Sequence, residues 1–156
     1  MITVDIPGMQ TFGIEYLILD FNGTIAVDGR VYDGIAERLS RLSEAVSVHV
    51  ITADTYGSVH AQCASLGVAV HVIAKESQDR EKLAFIESFD PARCVAVGNG
   101  RNDILMLKRA ALGFGILQEE GMNVHTLASC DILFPTIHDA LDALLYTDRL
   151  VATLRN

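Results

Sequence analysis

The chain has 156 residues, half of them hydrophobic, with a mean hydropathy of +0.30 and a net charge of −8. That is the length of one domain, with enough apolar material for a core that needs no disulfides. The acidic balance, with no basic cluster and only the mixed run KESQDREK as a dense charge stretch, argues against nucleic-acid and anionic-membrane partners.

No apolar run approaches the roughly 20 residues of a membrane span. The opening MITVDIPGMQ has neither the basic region nor the apolar core of a secretion signal. Cys63, Cys94 and Cys130 are odd in number, far apart and without a CxxC pair. Reduced, mostly buried thiols and a cytoplasmic location are expected, with a catalytic cysteine as the sharper alternative.

Short apolar runs alternate with amphipathic stretches. Strands are predicted over Ile2–Ile6, Tyr16–Asp20, Val48–Thr52, Ala69–Ile73, Cys94–Val97, Gly113–Ile116 and Ile132–Phe134. Several are unbroken Val/Ile/Leu/Ala runs, as in parallel strands buried on both faces. The N-terminal strand is expected either to join the core sheet or to pair with a neighbouring molecule.

After Thr24, IAVDGRVYDG reads as a small hairpin with Asp28-Gly29 at its turn. Ile35, Leu39, Leu42 and Val46 mark one apolar helix face. TYGSVHAQCASLG is a helix stopping at Gly67, and DREKLAFIESF a helix with Leu83, Ile86 and Phe89 on one side. NDILMLKRAALG begins with an Asn/Asp cap, and HDALDALLYTDRLVATL reads as one last helix with Leu141, Leu144, Leu145 and Leu150 apolar. The alternation predicts an α/β domain with a mostly parallel sheet spanning residues 1–156, without repeat or linker.

Sites in such sheets lie at the carboxyl ends of strands. Three polar signals fall there: Asp20, Thr52 and Gly98-Asn99. Asp20 is a candidate nucleophile or metal ligand, and the following FNGT suggests an anion-binding nest of backbone N–H groups around Gly23 with the Thr24 hydroxyl beside it. A carboxylate beside a phosphate needs a cation between them. Magnesium suits such an all-oxygen site, with Asp103 as the best second ligand and Asp54 as a contributor through water.

Thr52, with the N–H groups that follow it, suits a phosphate oxygen, and Lys82 would neutralise developing phosphoryl charge. Other chemistries find less support. The run Gly98 to Asp103 ends in an acid where a dinucleotide loop has glycine, and it follows a late strand. There is no GxSxG, and no HxxxH or HxH pair that would suggest zinc.

The order of Asp, Thr, Lys and then GNGRND resembles the haloacid dehalogenase superfamily, and within it the phosphorylation domain of P-type ATPases and small soluble proteins like it. DFNGT is similar to the superfamily's DxDGT and the pumps' DKTGT, ITADT to the Thr motif, and GNGRNDILML to GDGxNDxxxL. The match runs from about Leu17 to Gln118.

The resemblance implies a three-layer, Rossmann-like fold and a phosphohydrolase that forms an aspartyl-phosphate on Asp20. Magnesium would be held by Asp20, the backbone of Asn22, and Asn99 and Asp103 of the fourth motif. The phosphoryl group would be held by Gly23, Thr24, Thr52, Ala53 and Lys82. The hairpin corresponds to the flap. The intervals Thr24–Thr52 and Thr52–Lys82 leave no room for a cap domain, so the site is expected to be open, or closed by another subunit of a homo-oligomer or by a macromolecular phosphorylated substrate.

Two amides depart from the pattern. Asn22 stands where phosphatases of the family carry the acid that protonates the leaving group, and Asn99 where they carry a metal-binding acid. A slow hydrolase is expected, or alternatively a non-catalytic module that binds a phosphorylated ligand or partner.

Overall fold

The computed structural model describes residues 1–53, 58–64 and 66–156. Its centre is a six-stranded, all-parallel sheet formed by β3 (Tyr16–Asp20), β6 (Ser47–Thr52), β7 (Ala69–Val72), β8 (Cys94–Gly98), β9 (Leu112–Ile116) and β10 (Ile132–Phe134). The spatial order is β10-β9-β8-β3-β6-β7. Every residue of the inner strands β8 and β9 is buried, whereas the edge strands β7 and β10 carry exposed positions. This is the predicted parallel α/β sheet, and its unbroken apolar runs are the sequence trace of burial on two faces.

Alternation along the strands builds two cores. Leu17 and Leu19 of β3, Val50, Val95, Val97 and Phe114 face one side, where they meet Leu39 and Leu42 of α1 (Ile35–Ser43) and Leu141 and Leu144 of α6 (Ile137–Leu145). Ile18, Ile51 and Ala96 face the other side, against Ile86 of α3 (Gln78–Glu87) and Met106 and Leu107 of α4 (Ile104–Arg109). Three layers result. The short helix α2 (Ser58–Ala64) adds buried Val59 and Cys63 to the first core; it ends three residues before the predicted stop at Gly67, which takes φ +65° in the turn beyond, and the predicted start at residues 55–57 lies outside the described residues.

Outside the sheet, β4 (Ala26–Val27) and β5 (Arg30–Val31) form the predicted hairpin, with Asp28 and Gly29 both at positive φ in its two-residue turn. The N-terminal segment does not join the core sheet, as one of its two expected roles required. β1 (Ile2–Asp5) pairs antiparallel with β2 (Thr11–Ile14), a strand that the sequence reading did not contain. This separate hairpin buries Val4, Phe12 and Ile14 beneath the first core. The last helix is also two: α6 stops at Tyr146, whose φ and ψ of −127° and 74° leave the helical region, and α7 (Asp148–Leu154) packs against β1. Apolar residues continue past the break and no glycine or proline marks it, which hid it. A further single-turn helix, α5 (Val124–Leu127), follows β9.

The three cysteines are free. Burial pushes the Cys63 thiol up to about 11 and Cys94 to about 12, so both are inert core thiols. No described helix is long and apolar enough to cross a membrane.

The register of β6 and β7 also joins two histidines. The Nδ1 of His49 lies 3.1 Å from the Nε2 of His71, beside Phe85 and Phe89 of the α3 segment. Burial, and for His49 also the charge of His71, hold both imidazoles below the usual histidine range.

A group with a depressed folded pKa binds fewer protons folded than unfolded, so its contribution to stability is lost as pH falls through about 6.5 and below. Asp20 works the other way, because its carboxyl, raised to about 6 by burial, binds more protons folded than unfolded over the same range. In urea melts the unfolding free energy of wild type is therefore expected to drop relative to that of a His49→Phe/His71→Phe double variant between pH 7 and pH 5, and parallel pH profiles would contradict the assignment.

Candidate active site

The switch point of the sheet lies at the carboxyl end of β3, because the chain runs from there to β6 and β7 on one side and to β8, β9 and β10 on the other. Asp20 is the last residue of β3 and stands in that crevice, only 8% exposed. Lys82, on the first turns of α3 and 1% exposed, places its Nζ 2.6 Å from Asp20 Oδ1 and 2.6 Å from Asp103 Oδ1. One ammonium thus bridges two carboxylates.

Burial, reinforced by the charge of Asp103 and opposed by Lys82, raises the Asp20 carboxyl to about 6. Burial alone would depress the Lys82 ammonium, but the two carboxylates more than reverse this and hold it protonated. The trio carries a net charge of −1 and forms a base for a cation or for a phosphoryl group that brings one.

Asp103 is fully buried and does not line the cleft. Its Oδ2 accepts the N–H groups of Asn99 at 3.0 Å and Gly100 at 2.8 Å while its Oδ1 accepts Lys82. The side chain therefore orients the lysine and the fourth-motif loop from behind. Gly98 is required for this, because a Cβ there would lie 2.4 Å from Asp103 Cγ.

A cleft of about 400 Å³ opens over this base. Of the residues read from the sequence, Asp20, Asn22, Thr52, Ala53, Lys82 and Asn99 line it. Gly23 and Thr24 do not. The Gly23 N–H is donated to Ala26 O at 2.8 Å and that of Thr24 to Phe21 O at 3.2 Å, so the loop spends these donors on its own turn instead of on an anion nest. The Thr24 hydroxyl, fully buried, lies 3.4 Å from Asp20 Oδ2. Asp54 lies outside the described residues.

Four further residues line the cleft: Gln78, Gly100, Asn102 and Glu120. Asn102 Nδ2 donates to Gln78 Oε1 at 2.7 Å, and this pair divides the cleft from a second cavity of about 660 Å³ bounded by Lys75, Asp79, Arg101, Ile104 and Leu105. Asn102 and Gly100 lie inside the GNGRND run, which drew attention for Asn99 and Asp103. Gln78 and Glu120 carried no sequence signal beyond polarity.

For a divalent cation the donor set is all oxygen. Asp20 Oδ2 makes a long contact with the Thr24 hydroxyl, and Asn22 and Asn99 line the same cleft. Asn99 Nδ2 is committed to Gly121 O at 2.9 Å, which leaves its Oδ1 as an acceptor. No cluster of three or more His, Cys, Asp or Glu side chains converges among the described residues. The set therefore fits a hard, largely hydrated ion such as magnesium and not a zinc-type cage.

The chain matches the haloacid dehalogenase-like hydrolase family over residues 2–111. It belongs to that family. Among solved structures it resembles the 3-deoxy-D-manno-octulosonate 8-phosphate phosphatase of Moraxella catarrhalis, crystallised with magnesium, phosphate and the sugar acid. The TM-score is 0.72 at 16% identity, covering 91% of this chain and 94% of that one.

The cobalt-bound counterpart from Haemophilus influenzae gives a TM-score of 0.73 at 12% identity, over 92% and 94% of the two chains. At these identities the likeness is one of fold. In sequence, an uncharacterised protein of Methanocaldococcus jannaschii is 37% identical over 91 residues, covering 54% of this chain and 98% of its own. As a haloacid dehalogenase-like hydrolase, the chain carries its first motif on β3 and its fourth after β8, the two strands that flank the crevice.

Proposed function

We propose that the protein is a magnesium-dependent phosphatase that passes the phosphoryl group through Asp20. The observation that carries this reading is the pairing of the Asp20 carboxylate, at the switch point, with a lysine buried between two acids. The two phosphatases of like fold, one holding magnesium and phosphate together, support it.

Asp20 Oδ2 would attack phosphorus in line, with the P–O bond to the leaving group breaking as the bond to Asp20 forms. Lys82 and the Thr52 and Ala53 segment would hold the phosphoryl oxygens. A cation held by Asp20, Asn22 and Asn99 would offset the repulsion between carboxylate and phosphate. The substrate would be a phosphorylated small molecule, with its leaving group directed past Asn102 and Gln78 toward the 660 Å³ cavity.

Asn22 cannot exchange a proton, so the leaving group departs without acid assistance. The rate is expected to be about 10²–10⁴-fold below that of a family member with an acid there. This points to good leaving groups, acyl phosphates among them.

The same amides, Asn22 and Asn99, favour a second reading: a module that binds a phosphorylated ligand without turning it over. Phosphate release from p-nitrophenyl phosphate and acetyl phosphate, with and without magnesium, separates the two. Magnesium-dependent release that disappears in Asp20→Asn is expected. Equal inertness of both proteins would favour the binding module, and activity surviving in Asp20→Asn would overturn the nucleophile.

A further inference from the structure

The loss of the acid at Asn22 leaves the second half of the reaction without a base, and the cleft holds a replacement. We propose that Glu120 is the general base that takes the proton from the water attacking the aspartyl-phosphate; the proposal rests on the Asp20 reading above.

Glu120 lines the same cleft as Asp20 and Asn22. Among the described residues, the other groups there cannot serve. Asp20 is the leaving carboxylate of this step, Lys82 is protonated between two acids, and Asn22 and Asn99 are amides. Asp103 is buried outside the cleft with both oxygens engaged. Of the adjacent pair of acids, Glu119 is bound to the flap through Tyr32 Oη at 2.5 Å, whereas Glu120 accepts from no described residue.

The loop that carries Glu120 is clamped over the site from both motif loops. Gln118 Nε2 donates to Gly23 O at 3.3 Å and Thr24 O at 2.9 Å. Asn99 Nδ2 donates to Gly121 O at 2.9 Å, and Asn123 N–H donates to Asn99 O at 3.0 Å. An aspartate at position 99 would accept but could not donate to Gly121. Asn99 lies directly over Gly23, at φ +78°, where a Cβ would come within 2.3 Å of its Nδ2.

The chain of contacts therefore runs from the nucleophile's loop through Asn99 to the residue beside Glu120. The two amides and this acid form one arrangement: Asn99 positions the Glu120 loop, and Glu120 supplies the proton acceptor that Asn22 lacks.

In the step itself, the water oxygen bonds to phosphorus as the bond from phosphorus to Asp20 breaks and its electron pair returns to the carboxylate. The water proton moves to Glu120 and then to solvent, leaving inorganic phosphate.

The test is rapid quenching after mixing with acetyl phosphate and magnesium, reading the formation and decay of phosphoenzyme in wild type, Glu120→Gln, Glu120→Asp and Asp20→Asn. Glu120→Gln is expected to form phosphoenzyme at the wild-type rate, to lose it about 10²-fold more slowly and so to accumulate it. Glu120→Asp should recover part of the decay rate. Glu120 is exposed, so the melting temperature should not move. Decay in Glu120→Gln at the wild-type rate, or formation and decay slowed alike, overturns the base. Turnover that is independent of Asp20, or no Asp20-dependent phosphoenzyme at all, overturns the nucleophile and this proposal with it.

Discussion

Replacing Lys82 by Ala is expected to remove activity and to cost about 3–5 kcal/mol of stability in the absence of metal. The ammonium is 1% exposed and lies 2.6 Å from each of two carboxylates that are themselves nearly or fully buried. Deleting it leaves two like charges facing each other across a cavity, and an uncompensated buried charge is far costlier than the pair was favourable. For a chain of this size that loss lowers the melting temperature by roughly 10 °C.

Part of the cost is relieved if Asp20 takes up a proton, which it does readily because its carboxyl already sits near 6. A Lys82→Ala/Asp103→Asn double variant should therefore melt above the single Lys82→Ala variant, although it stays inactive. Thermal melts of the three proteins measure this. A single variant that melts like wild type would show that the bridge adds nothing to the fold.

Replacing Asn22 by Asp is expected to raise kcat/KM on phosphate esters with poor leaving groups by about 10²-fold, with much less change on p-nitrophenyl phosphate. An acid there protonates the departing oxygen, and this matters in proportion to the basicity of that oxygen. Asn22 lines the cleft beside Asp20, so a side chain of the same shape is already in place. The added charge next to Asp20 works against part of the gain, and magnesium offsets it. The measurement is the ratio of kcat/KM for an alkyl phosphate to that for p-nitrophenyl phosphate in both proteins. An unchanged ratio would show that position 22 does not reach the leaving group.

The parts of the fold that were legible in the sequence are those with strong local periodicity. Tyr16–Asp20 and Ile132–Phe134 coincide with their predicted bounds because each is a clean apolar run closed by a polar or turn residue. The flap was readable from Asp28-Gly29, a dipeptide that fixes its own turn. The Thr11–Ile14 strand escaped because it has four residues with a glycine among them, and only its pairing with Ile2–Asp5 makes it a strand. The break at Tyr146 escaped because apolar residues run on past it and no glycine or proline marks it; the one local sign was Leu150, which falls out of the helical spacing of Leu141, Leu144 and Leu145, as α7 turns to follow β1.

The site divides in the same way. Asp20 and Thr52 could be placed because each ends a strand, and Asn99 because it directly follows one. Lys82 could be placed only through its order in the motif series, since nothing local distinguishes it from an exposed lysine. Asp103 was read as a metal ligand from its type and spacing, and its position behind Lys82 depends on the packing of α3 against the Arg101–Asp103 turn. Gln78 and Glu120 come from the start of one helix and the loop after β9, and only the tertiary fold brings them to the cleft.

The central claim is that Asp20 carries the phosphoryl group. Intact and peptide mass spectrometry of the acid-quenched protein, taken during turnover of acetyl phosphate with magnesium, tests it most directly. One added phosphoryl group, located on Asp20 and absent from Asp20→Asn, is the result expected. Turnover with no phosphoryl group on Asp20, or with the group on another residue, would contradict it.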